Sequence, residues 1–218
     1  MCIRDSEQVG QGLFRGIRHS ISRADHPEVL TIPGRAPAGI AQDPRFLDGL
    51  RTLGTLGYSY DCWLYHDQIR DFAAMADAAP DTTMVLDHFG TPLGVGPFAG
   101  KRAEIFEQWK VDVEEIAKCD NVVAKLGGMA MPDNGFGWDT AASPPTSDEF
   151  VDAQAPYYHH MIACFGTARC MFESNFPVDR WSLSYKVLWN GLKKIAAEYP
   201  ESQQQDLFSE TARRIYRI

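Results

Sequence analysis

An α/β fold built on parallel strands is what this 218-residue sequence predicts, and three observations carry the prediction. Glycine and proline punctuate the chain into a strand-then-helix rhythm repeated five times. Residues 83–88 are apolar for several successive positions, the pattern of a strand buried on both faces in a parallel sheet. Polar residues collect where strands end, which is where parallel α/β proteins build their sites. The composition agrees. Hydrophobic residues make up 44% and charged residues 23%, as in an ordinary globular chain long enough for one domain with a sizeable core.

Each element has its own signal. Residues 13–19 read as a short strand, followed by a Pro-, Gly- and Ala-rich loop over 20–42. Asp43-Pro44 supplies an N-cap with proline at the first helical position, and Phe46, Leu47, Leu50 and Leu53 mark one helical face. Residues 58–64 form the next strand, and the helix over 68–79 is stopped by Pro80. Strand 83–88 leads through a loop to a helix over 102–118 with an apolar stripe of Phe106, Trp109, Val113 and Ile116. Strand 121–126 ends in Gly127-Gly128. A loop over 129–146 follows, of a length that is usually functional or disordered. Thr146 and Glu149 have capping-box spacing and open a helix that Gly166 closes. Strand 169–174 precedes two last helices, over 182–198 and 201–217.

Two arrangements fit this order: an open doubly wound sheet and a (β/α)8 barrel. No Gly-x-Gly-x-x-Gly and no P-loop follows any strand, which weakens the nucleotide-binding open sheet. Arg18 and His19, Asp61 and His66, Asp87 and His88, and Ser174 and Asn175 instead gather at strand ends, the active-site face of a barrel. The barrel is therefore preferred, although a typical one takes about 250 residues and eight units. The net charge of -8 argues against nucleic acid or an anionic membrane surface as partner. No apolar run approaches the roughly 20 residues of a membrane span. The first residues lack a secretory apolar region. An odd count of five cysteines without zinc-ribbon spacing suits a reducing, cytoplasmic setting. A small-molecule substrate is expected, and exposed tyrosines at 157 and 158 would offer a homo-oligomer contact.

Five blocks occur in order: Phe14-Arg15-Gly16-Ile17-Arg18-His19, Tyr60-Asp61-Cys62-Trp63, Val85-Leu86-Asp87-His88-Phe89-Gly90, Met171-Phe172-Glu173-Ser174-Asn175-Phe176-Pro177 and Thr211-Ala212-Arg213-Arg214-Ile215-Tyr216. Together they resemble the amidohydrolase-2 branch of the amidohydrolase superfamily, and within it the lactonases acting on fuconolactone or 2-pyrone-4,6-dicarboxylate. The resemblance implies a (β/α)8 barrel, hydrolysis of an ester-like carbonyl, and a divalent metal (zinc or manganese) or none. Family members open with a strand bearing Asp-x-His-x-His, and no His-x-His occurs in this chain. Aligned by its blocks, the chain supplies barrel strands four to eight. Residues 12–218 then form a barrel fragment, and residues 1–11 read as a non-native or disordered start. The branch also resembles metal-dependent decarboxylases, so decarboxylation is the runner-up, and an inactive fragment the third reading.

The site candidates follow. His88, ending a buried strand, can ligate a metal or polarise a lactone carbonyl, against the reading of a satisfied core histidine. Asp87 should point to the other side of its strand, because side chains alternate. Asn175 stands where many relatives carry the Asp of Ser-Asp-x-Pro. An amide cannot act as a base near neutrality, but it can orient water or a substrate hydroxyl. Asp179 is a substitute base or, by the preferred reading, a loop or capping residue. Arg18 can clamp a substrate carboxylate or pair with a strand-end acid. Asp61 can bind sugar hydroxyls or metal. His19, His66 and Trp63 are assigned to substrate binding, with helix initiation and packing as the plain alternatives for the last two. The loop bearing Phe136 and Trp138 either covers a pocket or is disordered. No cysteine stands out as a nucleophile.

Overall fold

The computed structural model describes residues 13–218; the opening segment read from the sequence as a non-native or disordered start lies outside the described residues. Five strands, β1 (Gly16–Arg18), β2 (Ser59–Cys62), β3 (Met84–Leu86), β4 (Val122–Leu126) and β5 (Cys170–Phe172), form one sheet. They pair in chain order and all in parallel. Right-handed crossovers between sequential parallel strands put the connecting helices on one face of a sheet. Those helices are α1 (Pro44–Thr55), α2 (Ile69–Ala78), α3 (Arg102–Ile116) and α4 (Ser147–Phe165), with α5 (Tyr185–Ala196) after β5.

The caps anticipated from the sequence form. Asp43 accepts a hydrogen bond from the Arg45 N–H at 2.9 Å, with Pro44 opening α1. Thr146 and Glu149 make a reciprocal capping box at the start of α4, and Gly166 ends that helix at φ 72°. The main core lies between the sheet and these helices. Tyr60, Cys62, Met84, Leu86, Val122, Ala124 and Leu126 pack there against helix residues including Leu50, Leu53, Phe72, Trp109, Val113 and Leu192.

The expected C-terminal helix is divided. α6 (Glu201–Gln205) passes through a π turn at Asp206–Glu210 into α7 (Thr211–Tyr216). Ala212, Ile215 and Tyr216 of this last segment pack on Val85, Val123 and Met171, the opposite set of strand side chains. That second face also carries the charged residues described below. Tyr157 and Tyr158 are buried in the core, so the exposed tyrosine patch anticipated for a subunit contact is not there. No helix among the described residues is long and apolar enough to cross a membrane.

Candidate active site

Period-two alternation sends Asp61, Lys125 and the residues that immediately follow β3 and β5 toward the second face of the sheet. Their charges link into a chain. The Tyr216 hydroxyl donates to Asp61 Oδ2 at 2.6 Å, and Lys125 Nζ lies 2.6 Å from the same oxygen and 3.3 Å from Asp87 Oδ1. Arg18 Nε donates to Asp87 Oδ2 at 2.7 Å, and Arg18 Nη2 lies 2.9 Å from His88 Nε2. His88 Nδ1 in turn sits 2.5 Å from Glu173 Oε1. Burial works against the Lys125 cation, but Asp87 and Asp61 outweigh it and hold its pKa above the ordinary lysine value.

Two backbone features let this chain close around His88. The alternation rule sends Asp87 and His88 to opposite sides of the strand, and the structure departs from it. Asp87 lies on the charged face, and His88 joins it there because the chain leaves β3 with His88 at φ 54° and Phe89 at φ 58°. Non-glycine residues in the left-handed region are costly and cluster at functional sites. The Gly127-Gly128 pair after β4 makes room for the ring. A Cβ on Gly128 would strike the His88 imidazole, and one on Gly127 would strike Glu173.

Arginine can only donate, so His88 Nε2 is the acceptor of the Arg18 contact and Nδ1 carries its proton toward Glu173. Burial opposes a charged His88, yet the adjacent Glu173 carboxylate prevails and holds its pKa above the ordinary value. For Glu173, burial favours the neutral acid. His88, Lys125 and Arg18 outweigh that and keep its pKa low. The result is an imidazole held by a carboxylate, with its second nitrogen turned to a guanidinium.

A cavity of about 360 Å³ opens over this arrangement, and Arg18, His19, Trp63, His88 and Asn175 line it together with Met131. The Arg18 side chain is 55% exposed, so its guanidinium is held by Asp87 while still facing solvent. Trp63 is held by its indole N–H, which donates to Thr91 Oγ1 at 2.9 Å. Asn175, at φ 49°, donates through Nδ2 to Asp179 Oδ1 at 2.7 Å.

The remaining candidates lie elsewhere. Asp61 is buried among Lys125 and Tyr216 and does not line the cavity. His66 is also away from it: Nδ1 accepts the Leu93 N–H at 3.3 Å, its ring packs on Phe98, and burial pushes its pKa down to about 4. Phe136 and Trp138 stack on each other outside the cavity, with the Arg102 guanidinium 3.8 Å from the Phe136 ring. The loop that carries them is pinned. Asp133 accepts from the Thr31 and Ile32 amides, and Asn134 donates to Pro92 O. Cys62 is fully buried with its thiol pushed up to about 12, which leaves it no nucleophilic role.

Two residues of the site, Lys125 and Glu173, have no role in the sequence reading, and a third, Asp179, has there a capping role as its preferred reading. Lys125 is a charge inside an otherwise apolar strand, and that anomaly alone was a sufficient signal. Glu173 had the same signal after Cys170-Met171-Phe172. Asp179 was read as a capping residue, but its carboxylate receives Asn175 Nδ2 and the Ala130 amide at 3.4 Å instead of capping its own turn.

The described side chains around His88 do not by themselves gather the ligand set of the metal that the resemblance allows there. Both nitrogens of His88 are directed to Arg18 and Glu173, and Asp61 and Asp87 are held by Lys125 and Arg18. Among the described residues no three His, Cys, Asp or Glu side chains come together to hold a metal ion. The residues present do not fit a zinc or manganese centre, which needs several anionic or strongly donating ligands in one place.

Known proteins share this fold and much of the length of this sequence. An uncharacterized protein of Sinorhizobium fredii, y4mH, is 33% identical over 212 residues, which are 97% of this chain and 64% of that protein. The L-fucono-1,5-lactonase of Burkholderia multivorans is 24% identical over 94% of this chain and 63% of its own length. The chain thus spans somewhat less than two thirds of these curated relatives. The crystal structure of an amidohydrolase from Burkholderia multivorans with bound zinc superposes with a TM-score of 0.80 at 22% identity, covering 100% of this chain and 69% of that one. Residues 4–218 match the profile of the amidohydrolase family, so the chain belongs to that family.

Proposed function

We propose that the chain carries strands four to eight of a (β/α)8 barrel and the His88 half of a lactone hydrolase site. One observation carries this reading: His88, fixed between Glu173 and Arg18, faces a cavity with Asn175 on its wall. Its volume of about 360 Å³ suits a single-ring substrate. The lactonase relative points to the lactone of a sugar acid, with an aromatic catabolite lactone as the other member of the class. The free thiols of Cys62, Cys119, Cys164 and Cys170 fit a reducing cytoplasm.

The chemistry follows from the residues. A water attacks the lactone carbonyl, and Arg18 donates to the oxygen that becomes the oxyanion. As Arg18 Nη2 turns from His88 to the carbonyl oxygen it frees Nε2, which accepts the proton of the attacking water, and Glu173 stabilises the imidazolium that forms. Collapse of the tetrahedral intermediate breaks the ring C–O bond, and His88 returns the proton to the leaving alkoxide. The product is a hydroxy acid. Asn175 orients the water or a ring hydroxyl through its amide.

The test is a panel of sugar-acid and aromatic lactones followed by proton release and by carbon dioxide measurement. Acid without carbon dioxide is expected; carbon dioxide release would instead favour decarboxylation. Folded protein that opens no lactone faster than buffer overturns the reading.

A further inference from the structure

We infer that Asp179 is a positioning residue that sets which end of the Asn175 amide faces the cavity, and thereby whether that wall accepts or donates a hydrogen bond. The inference rests on the reading of this cavity as a lactone site and names what the site selects. Asn175 lines the cavity, whereas Asp179, 1% exposed, lies behind it in the turn Val178–Trp181. In the structure Asn175 Nδ2 donates to Asp179 Oδ1 at 2.7 Å, and the Ala130 N–H approaches Oδ2 at 3.4 Å. A carboxylate only accepts, so it pulls the NH2 end of the amide toward itself. The amide oxygen is what remains for the cavity, and it accepts from a water or from a substrate hydroxyl.

A protonated Asp179 reverses this. Its O–H donates to Asn175 Oδ1, the amide turns by half a revolution, and the NH2 end faces the cavity as a donor. The two ends of an amide are nearly the same size, so the turn needs no repacking. The groups that face Asp179 are His88 after β3, Glu173 after β5 and Tyr158 on α4. Burial raises the Asp179 pKa to about 7, with Asn175, His88 and the Ala130 amide opposing and Glu173 assisting. The turn of the amide therefore falls near neutrality. With Asp179 ionised, the wall suits a hydroxyl-bearing lactone. With Asp179 protonated, it suits a carbonyl or carboxylate at the same place.

The test reads the amide directly in the whole chain without substrate. Side-chain ¹⁵N–¹H signals are followed from about pH 5.5 to 8.5, a range that brackets the expected titration. The Asn175 pair is identified by its absence in Asn175→Ala. It should shift with a midpoint near 7 in the wild type and not at all in Asp179→Asn, which keeps an acceptor for Nδ2 but has no proton to gain. In parallel, KM for a hydroxylated lactone should rise several-fold as pH falls through 7 and that rise should vanish in Asp179→Asn, whereas the fall in kcat caused by protonation of His88 should remain in both proteins. An Asn175 signal constant over the range, or one that titrates equally in Asp179→Asn, overturns the inference. A titrating amide in a protein that opens no lactone supports the positioning role and overturns the lactone reading alone.

Discussion

His88 shows why a residue can be identified from sequence while its geometry cannot. Its place after a buried strand marked it, but the left-handed backbone that turns it beside Asp87 has no periodic signature. Asp179 is hidden for a similar reason, since it reaches Asn175 across a turn and not along a strand or helix. Replacing His88 with Gln leaves groups that can meet Glu173 and Arg18 but removes the proton acceptor. Turnover should fall by about 10²–10⁴-fold, with little change in melting temperature. Wild-type turnover per folded molecule would remove His88 from the chemistry. The Asp179 carboxyl, raised from 3.8 to about 7 by burial, is bound to its proton more tightly in the folded chain than in the unfolded one. Its contribution is present in full below pH 4 and is lost as pH rises through 7. The loss is on the order of 4 kcal/mol at most. Denaturant melts at pH 5 and pH 8 should show that decline in the wild type and a flatter profile in Asp179→Asn. Equal slopes would mean that Asp179 titrates alike in both states.

Among the elements, those with chemical punctuation were legible. Asp43-Pro44 and the Thr146–Glu149 box act through hydrogen bonds to residues two or three positions away, so the sequence contains both partners. The last helix was less legible. Periodicity revealed an amphipathic segment but neither the π turn at Asp206–Glu210 nor the face on which α7 settles. That face is fixed by a long-range contact, Tyr216 with Asp61, 155 residues apart in the chain. Tyr216→Phe should therefore cost about 1.5–3 kcal/mol, the contribution of a hydrogen bond to a charged group, with Lys125 still on the same Asp61 oxygen. Lys125→Met should cost more, about 3–5 kcal/mol, because Asp61 and Asp87 would both lose a buried cation. Urea melts of the two single variants and the double variant measure the terms and their coupling. A Lys125→Met protein as stable as the wild type would show that the cation does not hold these carboxylates in the fold.

On the scale of the whole molecule, an acidic body carries at its cavity a paired but solvent-facing cation, Arg18. The net charge is -8, yet Arg18, Lys125 and His88 concentrate at one rim of the sheet. Composition revealed the first fact. The second needed the strand order, because residues from β1, β3 and β4 meet only when those strands stand side by side. The two fields have different ranges. The body's negative field is screened beyond about 10 Å at 0.1 M salt, whereas a carboxylate docked on Arg18 is within contact distance. Arg18 is 55% exposed, so its contact attraction also weakens in salt, only less steeply. A neutral sugar lactone has no charge for either field to act on, and its KM should be nearly independent of salt from about 0.05 to 0.5 M. A lactone carrying a carboxylate that pairs with Arg18 should show a KM that rises several-fold over the same range, and Arg18→Gln should abolish the rise. If the KM of the carboxylated lactone falls instead, the repulsive field of the acidic body governs its approach. A salt dependence unchanged in Arg18→Gln would show that the guanidinium does not hold the carboxylate, leaving Arg18 its role at Asp87 and His88.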